Sequence, residues 1–175
     1  EPFLFTLPYP DGTEQVVLKR DTTVLARHVR SAHAPTLAIT TPLGGERWSG
    51  LETIRWEAAD ADGDTVTVSL FYRPNDSAAW LPVNADVVGS AFEIDSREVP
   101  GGTDARVLLV ASDGFNTTIA MSEPFSVTRK GPQPIILEPL DGAELKPASP
   151  LVLAGSGYDL EDGALDAASF AWSSD

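Results

Sequence analysis

Two stretches of this sequence repeat each other about a hundred residues apart. Pro35-Thr-Leu-Ala-Ile39-Thr-Thr-Pro42-Leu43-Gly44-Gly45-Glu46 aligns with Pro132-Gln-Pro-Ile-Ile136-Leu-Glu-Pro139-Leu140-Asp141-Gly142-Ala-Glu144, which sets Ile39 on Ile136 and Pro42 on Pro139. Further on, Trp56-Glu-Ala-Ala-Asp60-Ala-Asp62-Gly63 aligns with Gly155-Ser-Gly-Tyr-Asp159-Leu-Glu161-Asp162-Gly163, the second copy having gained two residues in between. A period of about 100 residues is the size of a β-sandwich module and far too long for a solenoid repeat. The fold class expected is therefore all-β, and the question becomes how much of each module the chain holds.

The first copy, residues 34–130, reads as seven short strands separated by turn signals. Thr36–Thr40 opens it. In Glu52–Glu57, Ile54 and Trp56 alternate with Thr53, Arg55 and Glu57, so one face is apolar and the other polar. Thr65–Tyr72 alternates in the same way, with Val66, Val68, Leu70 and Tyr72 facing inward. Ala79–Val83 and Ala91–Ile94 follow, then the nearly continuous apolar run Arg106–Ala111, then Thr118–Thr128. Proline cannot donate to a ladder, so Ser122-Glu123-Pro124 is expected to break that last strand. The turns fall at Asp62-Gly63, Asn75-Asp76, Pro100-Gly101-Gly102 and Asp113-Gly114.

Residues 131–175 hold room for about three strands, expected at Ile135–Leu137, Leu151–Gly155 and Ser169–Trp172, which reads as the first part of a second module. Residues 1–33 read as the last strands of a preceding module: Phe3–Leu7, Gln15–Lys19 and Thr23–Val29, turning at Pro10-Asp11-Gly12. Ser31–Pro35 and Arg129–Pro134 are then matching linkers. A partial sandwich exposes half a core and unpaired edges. Residues 1–30 and 135–175 could relieve this by pairing with each other, within the chain or between neighbours; a fragment cut in mid-domain is the plainer alternative.

On the strings Pro42-Leu-Gly-Gly-Glu46-Arg-Trp48, Thr53-Ile-Arg-Trp56-Glu-Ala-Ala-Asp60-Ala-Asp-Gly-Asp64, Phe71-Tyr72-Arg-Pro-Asn-Asp-Ser-Ala-Ala-Trp80 and Val107-Leu-Leu-Val-Ala-Ser-Asp113-Gly114-Phe-Asn116, the chain resembles bacterial fibronectin type III-like and Ig-like repeats. Residues 155–175 also resemble the start of a PKD- or cadherin-like module. The resemblance implies a seven-stranded β-sandwich flanked by partial modules, strung beside other domains in a secreted protein. For function it implies little, since such modules serve as spacers, sugar binders and adhesins alike. The penultimate strand lacks the tyrosine usual in animal fibronectin modules, which argues against an animal-type receptor role.

The net charge of −14 is uneven. Residues 1–34 carry four acids and four bases, residues 35–130 carry 14 against 7, and residues 131–175 carry 8 against Lys146 alone. Such a surface repels phosphate backbones and anionic lipid, so neither nucleic acid nor a membrane is an expected partner. No run approaches the roughly 20 apolar residues of a membrane helix. No basic and apolar leader opens the chain, so any export signal is expected outside it. The absence of cysteine removes disulfides and thiolate chemistry; with the resemblance it points to a secreted or surface protein of a prokaryote.

The strongest chemical candidate is Asp60-Ala-Asp62-Gly63-Asp64, where alternating carboxylates around a tight turn suit a hard cation such as calcium. In a sandwich, the loop carrying Asp113 and Asn116 emerges at the same end, so the five could converge. Asp159, Glu161 and Asp162 form the parallel set in the second copy. The competing reading is that Asp and Gly are simply good turn residues, and no glutamate closes a 12-residue EF-hand loop.

Trp56 is expected in a core, and Trp172 in the core of its own module once that module is complete. Trp48, in the least regular segment, is the expected exposed ring, and Trp80 is expected to cover the turn before it; these two are the candidates for a sugar platform. His28 and His33 flank a linker and suggest no metal or catalytic site. No Gly-x-Ser-x-Gly turn and no glycine-rich phosphate loop appears, so no enzyme is expected. The function expected is a non-catalytic spacer or interaction segment, its partners being neighbouring domains of the same polypeptide or a protein ligand, with calcium stiffening the array. The alternative is a carbohydrate-binding accessory module that docks an extracellular enzyme onto polysaccharide.

Overall fold

The structure, a computed structural model, describes residues 10–144 and 150–173. Every regular element in them is a strand except one 3-10 turn, Ala167–Ser169. The strands are β1 (Gln15–Arg20), β2 (Thr23–Val29), β3 (Thr36–Thr41), β4 (Arg47–Trp48), β5 (Leu51–Ala59), β6 (Thr67–Arg73) and β7 (Leu81–Val87). They continue as β8 (Ala91–Asp95), β9 (Gly102–Ser112), β10 (Thr117–Met121), β11 (Phe125–Val127), β12 (Gln133–Glu138), β13 (Ala154–Asp159) and β14 (Gly163–Ala164). The expected strand at Phe3–Leu7 lies outside the described residues.

Among the described residues each hydrogen-bonded sheet stays within one stretch of chain. β1 and β2 form a hairpin, β12-β13-β14 form a separate sheet, and the strands between them form two sheets. Among the described residues, then, the two ends do not pair with each other within the chain. In the middle stretch, β3-β5-β8 faces the larger sheet β4-β11-β9-β6-β7, with β10 also on β9. Ile54 and Trp56 of β5 meet Val68, Leu70 and Tyr72 of β6 and Val107, Leu109 and Ala111 of β9 in one buried cluster. Two mostly antiparallel sheets enclosing one core are consistent with a β-sandwich. The inward faces are those the alternation picks out, because a pleated strand sends alternate residues to opposite sides.

Several boundaries differ from expectation: β4 is a short strand that the pattern does not mark, β6 starts at Thr67 rather than Thr65, and β9 starts four residues early, at Gly102. The last strand of this stretch does break at Ser122–Pro124, but it rejoins the sheet as β11, which pairs with β9 and, in parallel, with β4. β7 starts two residues late and runs to Val87, with two register shifts against β6 and with Asp86 in the left-handed region at φ 53°. In the third stretch β13 begins at Ala154, and Ser169–Trp172 is not a strand. The apolar Leu151-Val152-Leu153 suggests a strand by composition, yet the ladder begins where Glu138 meets Ala154.

The pairing of β12 with β13 follows that of β3 with β5 position by position. Thr36 faces Ala59 and Ile39 faces Trp56; Gln133 faces Tyr158 and Ile136 faces Gly155. A register shift falls between Ile39 and Thr41 in the first ladder and between Ile136 and Glu138 in the second. The aligned prolines Pro42 and Pro139 both follow cis peptide bonds.

Candidate functional site

β5 ends at Ala59, and the chain turns through Asp60–Asp64 before β6. Asp60 shapes this turn, its Oδ1 accepting the amides of Asp62 at 2.8 Å and Asp64 at 3.3 Å. Its Oδ2 is buried with no hydrogen-bond partner among the protein atoms. Gly63, at φ 83°, takes the backbone conformation that closes the turn. Asp60, Asp62 and Asp64 each offer a carboxylate oxygen within 4.8 Å of the others, so this group could hold a metal ion. Such an all-oxygen donor set fits a hard cation.

Asp62 already has a partner. Its Oδ2 accepts the backbone N–H of His33 at 2.7 Å, and its Oδ1 lies 2.9 Å from His33 Nδ1. The His33 side chain and backbone N–H hold the Asp62 carboxyl below its usual range, and Asp62 in return raises the His33 imidazole. An ion at the three aspartates would therefore share Asp62 with His33 or displace it.

Asp113 and Asn116 emerge at the same end, from the loop between β9 and β10, and meet Arg30, Ser31 and the His33 carbonyl rather than the His33 N–H and ring. Asp113 Oδ1 accepts the amides of Phe115 and Asn116, and its Oδ2 accepts Ser31 Oγ at 2.7 Å. Asn116 Oδ1 accepts Arg30 Nε at 2.8 Å, while its Nδ2 donates to the Ser31 and His33 carbonyls. Burial pushes the Asp113 carboxyl up, but the hydrogen bonds from Phe115, Ser31 and Asn116 outweigh it and hold it at about 2. His28 stacks on Phe115 with ring centres 5.0 Å apart, over Gly114, where a Cβ would lie 2.7 Å from His28 Nε2. The loop is a docking point for residues 28–33, and Asp113 does not join the three-aspartate group.

The second acidic set sits at the opposite linker. Asp159 is buried, its Oδ1 accepting the amides of Glu161 at 2.8 Å and Asp162 at 3.2 Å. These bonds, the Glu161 amide first, hold its carboxyl below the usual range. Glu161 Oε1 accepts two backbone N–H groups, from Gly101 at 2.6 Å and Lys130 at 3.0 Å. Asp162 Oδ2 lies 3.7 Å from Arg129 Nη2. Lys130 Nζ donates to the Val99 carbonyl at 2.6 Å. Among the described residues, Asp159, Glu161 and Asp162 do not form a group with the spacing of Asp60, Asp62 and Asp64.

The aromatic candidates part company. Trp48, expected at the surface, is only 3% exposed, its ring 4.3 Å from that of Phe125. The parallel bridge to β11 draws it inward, so it offers no face to a ligand. Trp80 is half-buried beneath the Arg73 guanidinium, 4.5 Å from the ring centre. Trp172, expected in a core once its module is complete, is 47% exposed and lines a groove of about 620 Å³ with Ile135, Leu153 and Phe170.

Residue patterns miss the linker half of both contacts: Arg30, Ser31, His33, Gly101 and Lys130. A backbone N–H leaves no mark in sequence. The only hint is that the two acidic loops and the two linkers recur at matching places. Comparison with family models, with curated proteins and with solved structures finds no significant match. Among the described residues no helix is long and apolar enough to cross a membrane.

Proposed function

We propose that the chain is a segment of a tandem array of Ig-like or fibronectin III-like modules, non-catalytic, that sets the spacing of neighbouring domains in a secreted or surface protein of a prokaryote. The observation that carries this reading is that both linkers are fastened to the central stretch by hydrogen bonds, through Asp62, Asp113 and Asn116 at one end and Glu161 at the other. A flexible tether has no use for such bonds, whereas a spacer needs them. The matched registers of β3–β5 and β12–β13 support the tandem repeat. Calcium at Asp60, Asp62 and Asp64 would stiffen the first joint further. The carbohydrate-binding alternative has less support, since Trp48 is buried and Trp80 is partly covered.

Backbone relaxation of the full chain by NMR tests the spacer. The spacer reading expects one correlation time for residues 15–29, 36–127 and 133–164; three independent correlation times would overturn it. Thermal unfolding in calcium and in chelator tests the ion, since a ligand at a hundredfold excess over its Kd adds about 2.7 kcal/mol. Asp64→Ala is the control, because Asp64 takes no part in the hydrogen bonds to His33. A midpoint raised by calcium in the wild type but not in this variant is expected. Equal midpoints with and without calcium would leave the loop an ordinary turn.

A further inference from the structure

Both joints place a carboxylate at the same point. Asp60 and Asp159 occupy aligned positions and organise their loops alike, each accepting two loop amides on Oδ1. The following acid, Asp62 or Glu161, then turns back to accept a linker N–H, from His33 at 2.7 Å or from Lys130 at 3.0 Å. His33 and Lys130 are separated by the same 97 positions as Ile39 and Ile136. One bond of this kind could be incidental. The same bond at the same place in both copies is a built feature.

We propose that Glu161 is the positioning residue of the joint after the central sandwich, and that Asp62 holds the same office in the joint before it. The inference rests on the tandem-module reading and says what fixes the angle between modules: a carboxylate that accepts linker amides directly. Hydrogen bonds to backbone N–H are directional, so they set orientation as well as contact.

Glu161 does more than Asp62, because its extra methylene lets one oxygen bridge Gly101 of the sandwich and Lys130 of the linker. A second observation points to the same contact. Gly101 is buried, and a Cβ there would lie 2.5 Å from Arg129 Cα and 2.6 Å from Arg129 N. The linker backbone lies directly on the glycine, and only a residue without a side chain leaves room for it. Next to it, the Tyr72 hydroxyl donates to the Pro100 carbonyl at 2.6 Å, which anchors the turn that presents Gly101.

The lack of cysteine makes the test direct. Spin labels on Glu93→Cys and Ala164→Cys, both exposed, report the distance across the second joint in the full chain by pulsed electron resonance. A narrow distribution is expected in the otherwise wild-type protein. Glu161→Ala should lose the narrow peak, and Gly101→Ala should lose it too while leaving Glu161 in place. Glu161→Gln keeps an acceptor oxygen and should retain the peak. Near-ultraviolet dichroism from the buried Trp48 and Trp56 should stay unchanged in all three. A narrow peak that survives Glu161→Ala would overturn this inference and leave the spacer reading standing. Glu161→Gln broadening as far as Glu161→Ala would overturn it as well, since charge rather than amide acceptance would then hold the joint. A broad distribution before any joint substitution would sink the spacer reading itself.

Discussion

The sheet β3-β5-β8 and the sheet β12-β13-β14 begin with the same ladder and end with different fates. The first is covered: Ile54 and Trp56 vanish beneath β6 and β9. The second leaves Ile135, Ile136, Leu151 and Val152 largely exposed. The two ladders nevertheless share their pairing and the place of their register shift. Stability is not independent of cover, because burial of apolar area is the main favourable term in folding. The aromatic payload has also changed sides. Where β5 carries Trp56, the matching β13 position is Gly155, and a Cβ there would lie 3.3 Å from Cζ2 of Trp172. One ladder supplies its own indole; the other leaves a gap and receives an indole from the segment that follows.

The sharpest way to break this comparison is Trp56→Ala. It empties a fully buried site, and a loss of about 3–5 kcal/mol in denaturant unfolding of the central stretch is expected. The β12–β13 ladder should keep its amide protection until the joint is lost. Gly157→Ala makes the converse cut. The new methyl would run into the Phe170 ring, so the third stretch should lose about 1–3 kcal/mol while the central unfolding midpoint holds. Equal damage to both stretches by either variant would mean that they fold as one unit.

Acid should loosen the first joint. The Asp113 carboxyl is depressed from 3.8 to about 2, so its contribution is complete above 3.8 and fades as pH falls through about 2. Thermal midpoints between pH 5 and pH 2 should therefore fall more steeply in the wild type than in Asp113→Asn, which has no carboxylate to protonate. Parallel slopes would show that Asp113 has no part in the pH dependence. The smallest effect expected is at Trp80. Trp80→Leu removes the ring beneath Arg73 and should cost about 0.5–1 kcal/mol, with no change at either joint.

Much of the central stretch is legible in the sequence because its information is local. The alternation in Thr65–Tyr72 marks Val68, Leu70 and Tyr72, and these are among the most buried side chains. Pro124 marks its own break. Trp48 is not legible, since two residues that bridge to β11 across 79 positions have no periodicity to display. The start of β13 is hidden for a related reason: Leu151-Val152-Leu153 has the composition of a strand, whereas the ladder there uses glycines that make room for Phe170 and Trp172. The acidic loops were visible as loops, and their aspartates do converge at Asp60, Asp62 and Asp64. That Asp62 and Glu161 grip main-chain amides was invisible, because the donor is common to every residue but proline.

The broken edge strand β7 has a consequence for how such a protein behaves in a crowd. It borders the larger sheet, where an unpaired row of amides and carbonyls would otherwise invite a strand from another molecule. Two register shifts, Pro82 in the ladder and Asp86 in the left-handed conformation interrupt that row. Neighbouring molecules therefore find no regular template along this flank. Molecules packed densely side by side would slide past one another there rather than stick.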